Sequence, residues 1–472
     1  MKRCVPFAIA CLAGLHACAP AAQPSVAPQP IPAAFPASGE GPSTGSLQWT
    51  QFFDDKELIY LIYDTLKGNP DLQMALQRVE IARSSVRQRG GALLPQLSAV
   101  GGAGVARWGR YTPEGAGNTT TDLTPGRAVP NPVGDFSAGL VASWEVDAWG
   151  KLRSERGAAL ARYLATAEAR RVVQTVLISE VAATYFELLA WDVAREILQE
   201  TIVRQRRAVE AAELQKAAGR ATELAVQQFA AQLRETEALA VQTGLQIQET
   251  ESRINLMRGE YPKPVRRTPH ALLQELELEA SAGLPSEVLR QRPDVRQAEQ
   301  LVRAAKLDLS AARAAFYPEL TLSAGVGFQA FDPRYLLRIP ESVVYSATLG
   351  LLVPLVNRSA IEAEFQAAEA HQVEAMIYYQ KTVLTAYAEV TLALARLEAT
   401  RTITEVKEQQ RAILERSLDT AHELYRANRA TYLDVLLAQQ NVLSAELDLV
   451  EARKQSRLAA VGLYRALGGG GH

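Results

Sequence analysis

The sequence predicts a mainly α-helical chain with a small transmembrane β part, written as two internal repeats. Three observations carry that class. "NPDLQMALQRVEIARSSVRQRGGALLPQLSAVGGAG" from Asn69 matches "RPDVRQAEQLVRAAKLDLSAARAAFYPELTLSAGVG" from Arg292 at an ungapped offset of 223. Four segments of about 11 residues alternate apolar and small or polar side chains, a strand pattern. Two stretches, about 151–217 and 359–427, read as uninterrupted helix, each on the order of 100 Å at ~1.5 Å per residue.

In chain order, Lys2 and Arg3 precede the short apolar segment "VPFAIACLAGLHA", an export signal. Leu15, Ala17 and Cys18 fit a bacterial lipoprotein signal over 1–17, cleaved so that Cys18 becomes the lipidated first residue. Plain secretory cleavage is the other reading. Ala19 stands where an aspartate would favour the inner membrane, so the outer membrane is expected. Cys4, Cys11 and Cys18 are the only cysteines, which leaves the mature chain without an internal disulfide. Residues 18–46 are rich in Pro, Ala and Ser and read as a lipidated flexible tether.

The first repeat covers 47–262, a linker 263–283, the second repeat 284–467, and a tail 468–472. Pro70 and Pro293 each open a helix, and Pro95 and Pro318 each precede a strand. Strands are expected at about 96–107, 136–147, 319–330 and 344–356. In "ELTLSAGVGFQAF", Leu320, Leu322, Ala324, Val326 and Phe328 share one face. Trp144 and Tyr345 suit the membrane interfaces. The first repeat carries about 16 extra residues between its strands, in the Gly-, Pro- and Thr-rich loop "WGRYTPEGAGNTTTDLTPGRAVPNPVGD". Four strands leave two raw edges, and an unpaired amide in hydrocarbon costs several kcal/mol, roughly. Several copies must therefore pool strands into one barrel.

Each second strand runs into a long helix that turns sharply and returns, as 223–257 and 432–467. Val172, Val176, Ile178, Val181, Tyr185, Leu188 and Leu189 recur mostly at three- and four-residue steps, suited to supercoiled packing. "AAGRATEL" offers Gly219 as a helix stop and Thr222 as an N-cap. "ANRATYLD" offers Asn428 as the stop, Thr431 as the N-cap and Asp434 as a capping-box partner.

Together, "SWEVDAWGKLRSE", "GLPSEVLRQRPDVRQAEQLVRAAKLDLSAARAAFYPELTLSAG", "VPLVNRSAIEAEFQAAEA", "NRATYLDVLLAQQNVLSAELDLVEAR" and "LYRALGGG" resemble the TolC-type outer-membrane factors, in their NodT-like lipoprotein branch. The resemblance spans nearly the whole mature chain. It implies a homotrimer with a 12-stranded β-barrel continued by a 12-helix periplasmic α-barrel. It also implies a passive exit duct, coupled by a periplasmic adaptor protein to an inner-membrane transporter of the resistance-nodulation-division type. The family narrows its channel at the helix tips, which map onto 216–224 and 425–438. Relatives often read "YLDVLDAQ" there, and this chain reads "YLDVLLAQ". Leu433 and Leu437 then form an apolar constriction with Asp434 beside them, either facing the lumen or capping its helix. Arg220, Ala221, Thr222 and Leu224, with Arg429, Ala430 and Thr431, are candidate adaptor contacts; simple turn chemistry is the competing reading.

Other classes find little support. The net charge is −2 with no basic block, so nucleic acid is not an expected partner. The five histidines are scattered without metal spacing, and no nucleophile–base–acid set suggests an enzyme. "RPD" at 292–294 mimics a catalytic Arg–Asp pair but is better read as a helix start. No run of about 18 apolar residues follows the N-terminus, so no membrane-crossing helix is expected. No cofactor is expected beyond the covalent lipid on Cys18. The alternative function is a lipid-anchored periplasmic coiled-coil scaffold or adaptor, which would be soluble once freed of its lipid.

Overall fold

A computed structural model describes residues 26–27, 30–35, 47–274, 283–354, 358–427 and 429–469. The signal segment, Cys18, Asn428 and the end of the tail lie outside the described residues. The chain divides into two compact units, and each takes segments from both repeats. One holds 81–164 with 300–377; the other holds 27–80, 165–299 and 378–472.

The elements follow the sequence closely. In the first repeat they are α1 (Trp49–Phe52), α2 (Lys56–Gly68), α3 (Pro70–Gly91), β1 (Gln96–Ala106), α4 (Pro113–Thr120), β2 (Asp122–Thr124), β3 (Arg127–Ala128), β4 (Val133–Glu145), α5 (Lys151–Ala217) and α6 (Glu223–Arg258). The second holds α7 (Pro285–Gln291), α8 (Pro293–Ala314), β5 (Glu319–Ala330), β6 (Val343–Leu352), α9 (Ser359–Arg426) and α10 (Tyr432–Ala466).

In the first unit, β1, β4, β5 and β6 form one antiparallel sheet in the order β1-β4-β5-β6. β6 ends at Leu352, short of the expected 356, because Pro354 has no N–H for the ladder; 355–357 lie outside the described residues. β4 ends at Glu145, because Asp147 turns away to cap α5. It accepts from the N–H groups of Leu152 (3.0 Å) and Arg153 (3.1 Å). Burial disfavours its charge, yet those bonds and the Arg153 side chain outweigh it and lower the pKa. The loop expected to be irregular contains α4 and the small β2–β3 hairpin. Thr112 accepts from the Gly115 N–H and Pro113 opens the helix, a start signal hidden among the glycines. Gly157, alone of its type in α5, admits Leu307 of α8: a Cβ there would lie 3.2 Å from the leucine Cδ1.

In the second unit, Leu58, Leu61 and Ile62 of α2 meet Val181, Tyr185, Leu188 and Leu189 of α5 and Ile254 of α6. A stretch of α5 is long and apolar enough by composition to cross a bilayer, against the expectation of none. Half of it is buried within the chain, where those α5 side chains form the core, so packing accounts for its apolar character. The linker does not hang free where it is described: Arg267 pairs with Asp192 and Glu251, and Leu272 is buried.

The two repeats build matching junctions. Gly259 after α6 and Gly468 after α10 both have positive φ (70° and 98°), which lets each helix end turn tightly. Glu260 N–H reaches Asn255 O (2.9 Å), and Gly469 N–H reaches Tyr464 O (3.0 Å), the same bond 209 residues later. Each glycine lies against the proline that opens the neighbouring helix, Pro70 or Pro293. Asn69 Nδ2 donates to Met257 O (2.7 Å); at the equivalent place Arg292 Nη1 donates to Ala466 O (2.6 Å).

Candidate functional site

The sheet is the first functional element, and its register decides its chemistry. Directly opposed residues form rows across the strands. Gly101, Ala138, Phe328 and Val343 make one row; Ala99, Leu140, Val326 and Tyr345 the next; Leu97, Ala142, Ala324 and Ala347 the next; then Trp144, Leu322 and Leu349. Every member of that face is apolar or glycine. The opposite face carries Ser98, Ser137, Ser143, Ser323, Ser346, Thr348 and several glycines, with Val100, Val141 and Val344 among them. The four alternations are thus in phase, which no strand could specify alone. On the polar face, Gly139 and Gly327 are opposed so closely that a Cβ on Gly327 would lie 2.7 Å from the Gly139 Cα. Gln329 donates to Asp135 there (2.8 Å). β1 and β6 each pair on one side only among the described residues.

The helix tips are the second element. Gly219 has φ +71, and Arg220 N–H bonds Gln215 O (2.8 Å), which ends α5. Thr222 then caps α6 by accepting from Ala225 N–H (3.2 Å). In the second hairpin Arg429 N–H bonds Leu424 O (2.8 Å), the same closure. Thr431 caps α10, and Asp434 completes the capping box by accepting from the Thr431 N–H and hydroxyl, both at 2.7 Å. Those bonds hold the Asp434 carboxyl below the usual aspartate range. The capping bonds of Asp434 are thus present in the single chain.

Arg220, Thr222, Leu224, Arg429, Thr431, Leu433, Asp434 and Leu437 are exposed in the single chain; Ala221 and Ala430 are half-buried. Leu433 and Leu437, one turn apart, are 49% and 58% exposed, an unpartnered apolar pair. The two tips touch. Tyr425 OH donates to Gln215 (2.6 Å), Phe229 faces Tyr432 at 6.4 Å between ring centroids, and Gln440 bonds Gln232. Sequence reasoning missed these contacts, which join residues about 210 positions apart. It also missed the Lys216–Glu223 ion pair across the first tip. No cluster suited to holding a metal ion occurs among the described residues.

A sheet that is apolar on one face and unpaired at both edges among the described residues, with paired long helical hairpins, is the architecture expected of an outer-membrane exit channel. The chain matches the family described as outer membrane efflux protein over residues 61–260 and 284–469, and it belongs to that family. It is 29% identical over 473 residues to the cation efflux system protein CusC of Escherichia coli K12, covering 99% of both chains. It is 32% identical over 434 residues to the pyoverdine export outer membrane protein OpmQ of Pseudomonas aeruginosa, covering 92% of this chain and 90% of OpmQ. A crystal structure of CusC matches with a TM-score of 0.82 at 27% identity, over 96% of this chain and 99% of that one. The chain is an outer-membrane component of an efflux system.

Proposed function

We propose that three copies of this chain pool their sheets into a 12-stranded barrel and their long helices into a 12-helix tunnel. The duct is passive and has no catalytic step of its own. A periplasmic adaptor joins it to an inner-membrane transporter of the resistance-nodulation-division type, which supplies the energy. A lipid on Cys18 anchors each copy to the outer membrane. One observation supports the assembly above others: four in-phase strands with an apolar face and, among the described residues, two unpaired edges cannot lie in hydrocarbon alone. Trp144, on that apolar face near the end of β4, suits an interfacial girdle, whereas Tyr345 lies opposite Val326, two rows further into the sheet. The expected particle in detergent has the mass of three chains, and removing detergent aggregates it. A monodisperse monomer in plain buffer, after delipidation, overturns the reading.

Relatives named for cation efflux and for pyoverdine export stand at nearly equal identity, 29% and 32%. The cargo is therefore the pump's choice, and the duct passes small toxic compounds of several kinds. At the tip, Leu433 and Leu437 supply the constriction as an apolar ring, with Asp434 engaged in its cap. The exposed turn residues Arg220, Ala221, Thr222, Leu224, Arg429, Ala430 and Thr431 are the surface offered to the adaptor. Leu437→Gly is expected to raise single-channel conductance in planar bilayers; conductance equal to wild type removes the apolar ring.

A further inference from the structure

The N-terminal tether is expected from composition to be a flexible leash, but part of it is docked. Gln380 Nε2 of α9 donates to Ala27 O (2.7 Å), and seven residues on, Tyr387 OH donates to Ala34 O (3.2 Å). Phe35 is 4% exposed and stacks on Tyr387 with ring centroids 5.1 Å apart at 21°. It joins the apolar cluster of Val288 (α7), Val390 and Leu394 (α9), and Leu463 and Leu467 at the end of α10. Pro30 and Pro32 restrict the backbone just before this contact, which lowers the entropy lost on docking.

The matching junction of the first repeat shows why the contact is needed. There α2 has 13 residues and buries Leu58, Leu61, Ile62 and Thr65. Its counterpart α7 has seven and buries Pro285, Val288 and Leu289. The shorter helix brings less apolar bulk to its junction. We propose that the tether is a docked strap whose Phe35 completes the second junction and fixes where the anchor leaves the helices. Cys18 lies nine residues before Ala27, so the lipid is confined within about 30 Å of that point at ~3.3 Å per residue. This last consequence rests on lipidation of Cys18; the docking does not.

The test uses the full-length protein in detergent, with a nitroxide on Ala33→Cys, an exposed position of the strap. The expected spectrum is immobilised. Phe35→Ala should convert it to a mobile line shape and lower the thermal midpoint by several degrees, and Phe35→Leu should restore most of both. Cys18→Ser, made together with Cys4→Ser and Cys11→Ser, should leave the spectrum unchanged, while abolishing covalent incorporation of labelled palmitate if the lipid reading is right. A spectrum that stays immobilised in Phe35→Ala, or is already mobile in the unsubstituted strap, overturns the proposal. A strap freed by Cys18→Ser does the same, because the lipid rather than Phe35 would then hold it.

Discussion

The two junctions that end the repeats share a backbone and differ in chemistry. Both have a left-handed glycine, a bond from five residues on, and a proline packed beneath. In the first, a neutral amide ties the parts: Asn69 reaches Met257 O and also caps α3 by accepting from Leu72 N–H (2.8 Å). In the second, the guanidinium of Arg292 reaches Ala466 O, Asp294 and Glu389. Burial disfavours that charge, but the two carboxylates outweigh it and raise the pKa further. The backbone geometry is thus set by the glycine and proline, and the side chain between them is free to become either a cap or a three-way tie. A three-way tie suits the junction whose entering helix is short.

The largest expected effect follows from that difference. Arg292→Met keeps most of the apolar stem, loses the bond to Ala466 O and strands two carboxylates. Both can regain water, because Asp294 and Glu389 side chains are 31% and 46% exposed. The cost is therefore about 3 kcal/mol, below the upper range for breaking a buried pair. Asn69→Ala removes a cap and one tie and costs about 1–2 kcal/mol. Thermal unfolding of the detergent-solubilised protein should rank the two in that order. Equal midpoints would mean that the arginine serves only as a second cap.

This ranking also marks where sequence reading runs out. The helix starts at Pro70 and Pro293, the four alternations, and the caps at Thr222 and Thr431 are local signals, set by residues within a few positions of each other. They are legible because propensity and periodicity act over that range. The "RPD" segment was legible as a helix start, but the reach of Arg292 to Ala466 spans 174 residues and leaves no local trace. Phe35 is harder still. It sits in a Pro- and Ala-rich stretch whose composition signals a leash, and one apolar residue cannot alter that average. α4 stayed hidden for the opposite reason, because its glycines and threonines outvoted a Thr–Pro start. At the tips the turns were readable, whereas the contact of Gln215 with Tyr425 required knowing that the two hairpins lie side by side.

The smallest expected effect separates the two tips themselves. The first is closed by an ion pair, Lys216–Glu223, with both side chains about half exposed. The Lys216 ammonium, by hydrogen bond and charge, holds Glu223 below its usual carboxylate range. The second is closed by the Thr431–Asp434 box, which has no cation in it. Salt screens an exposed pair and leaves a local hydrogen-bonded box almost untouched. Raising salt at neutral pH should therefore speed amide exchange at Glu223–Ala225 and leave Tyr432–Asp434 unchanged. Acid should act on both, since each carboxyl has a lowered pKa: its contribution is full above the ordinary value and fades as pH falls through the folded one. Asp434→Asn should flatten the response at the second tip alone. Equal salt sensitivity at both tips would mean that the second box, like the first closure, leans on a charge partner.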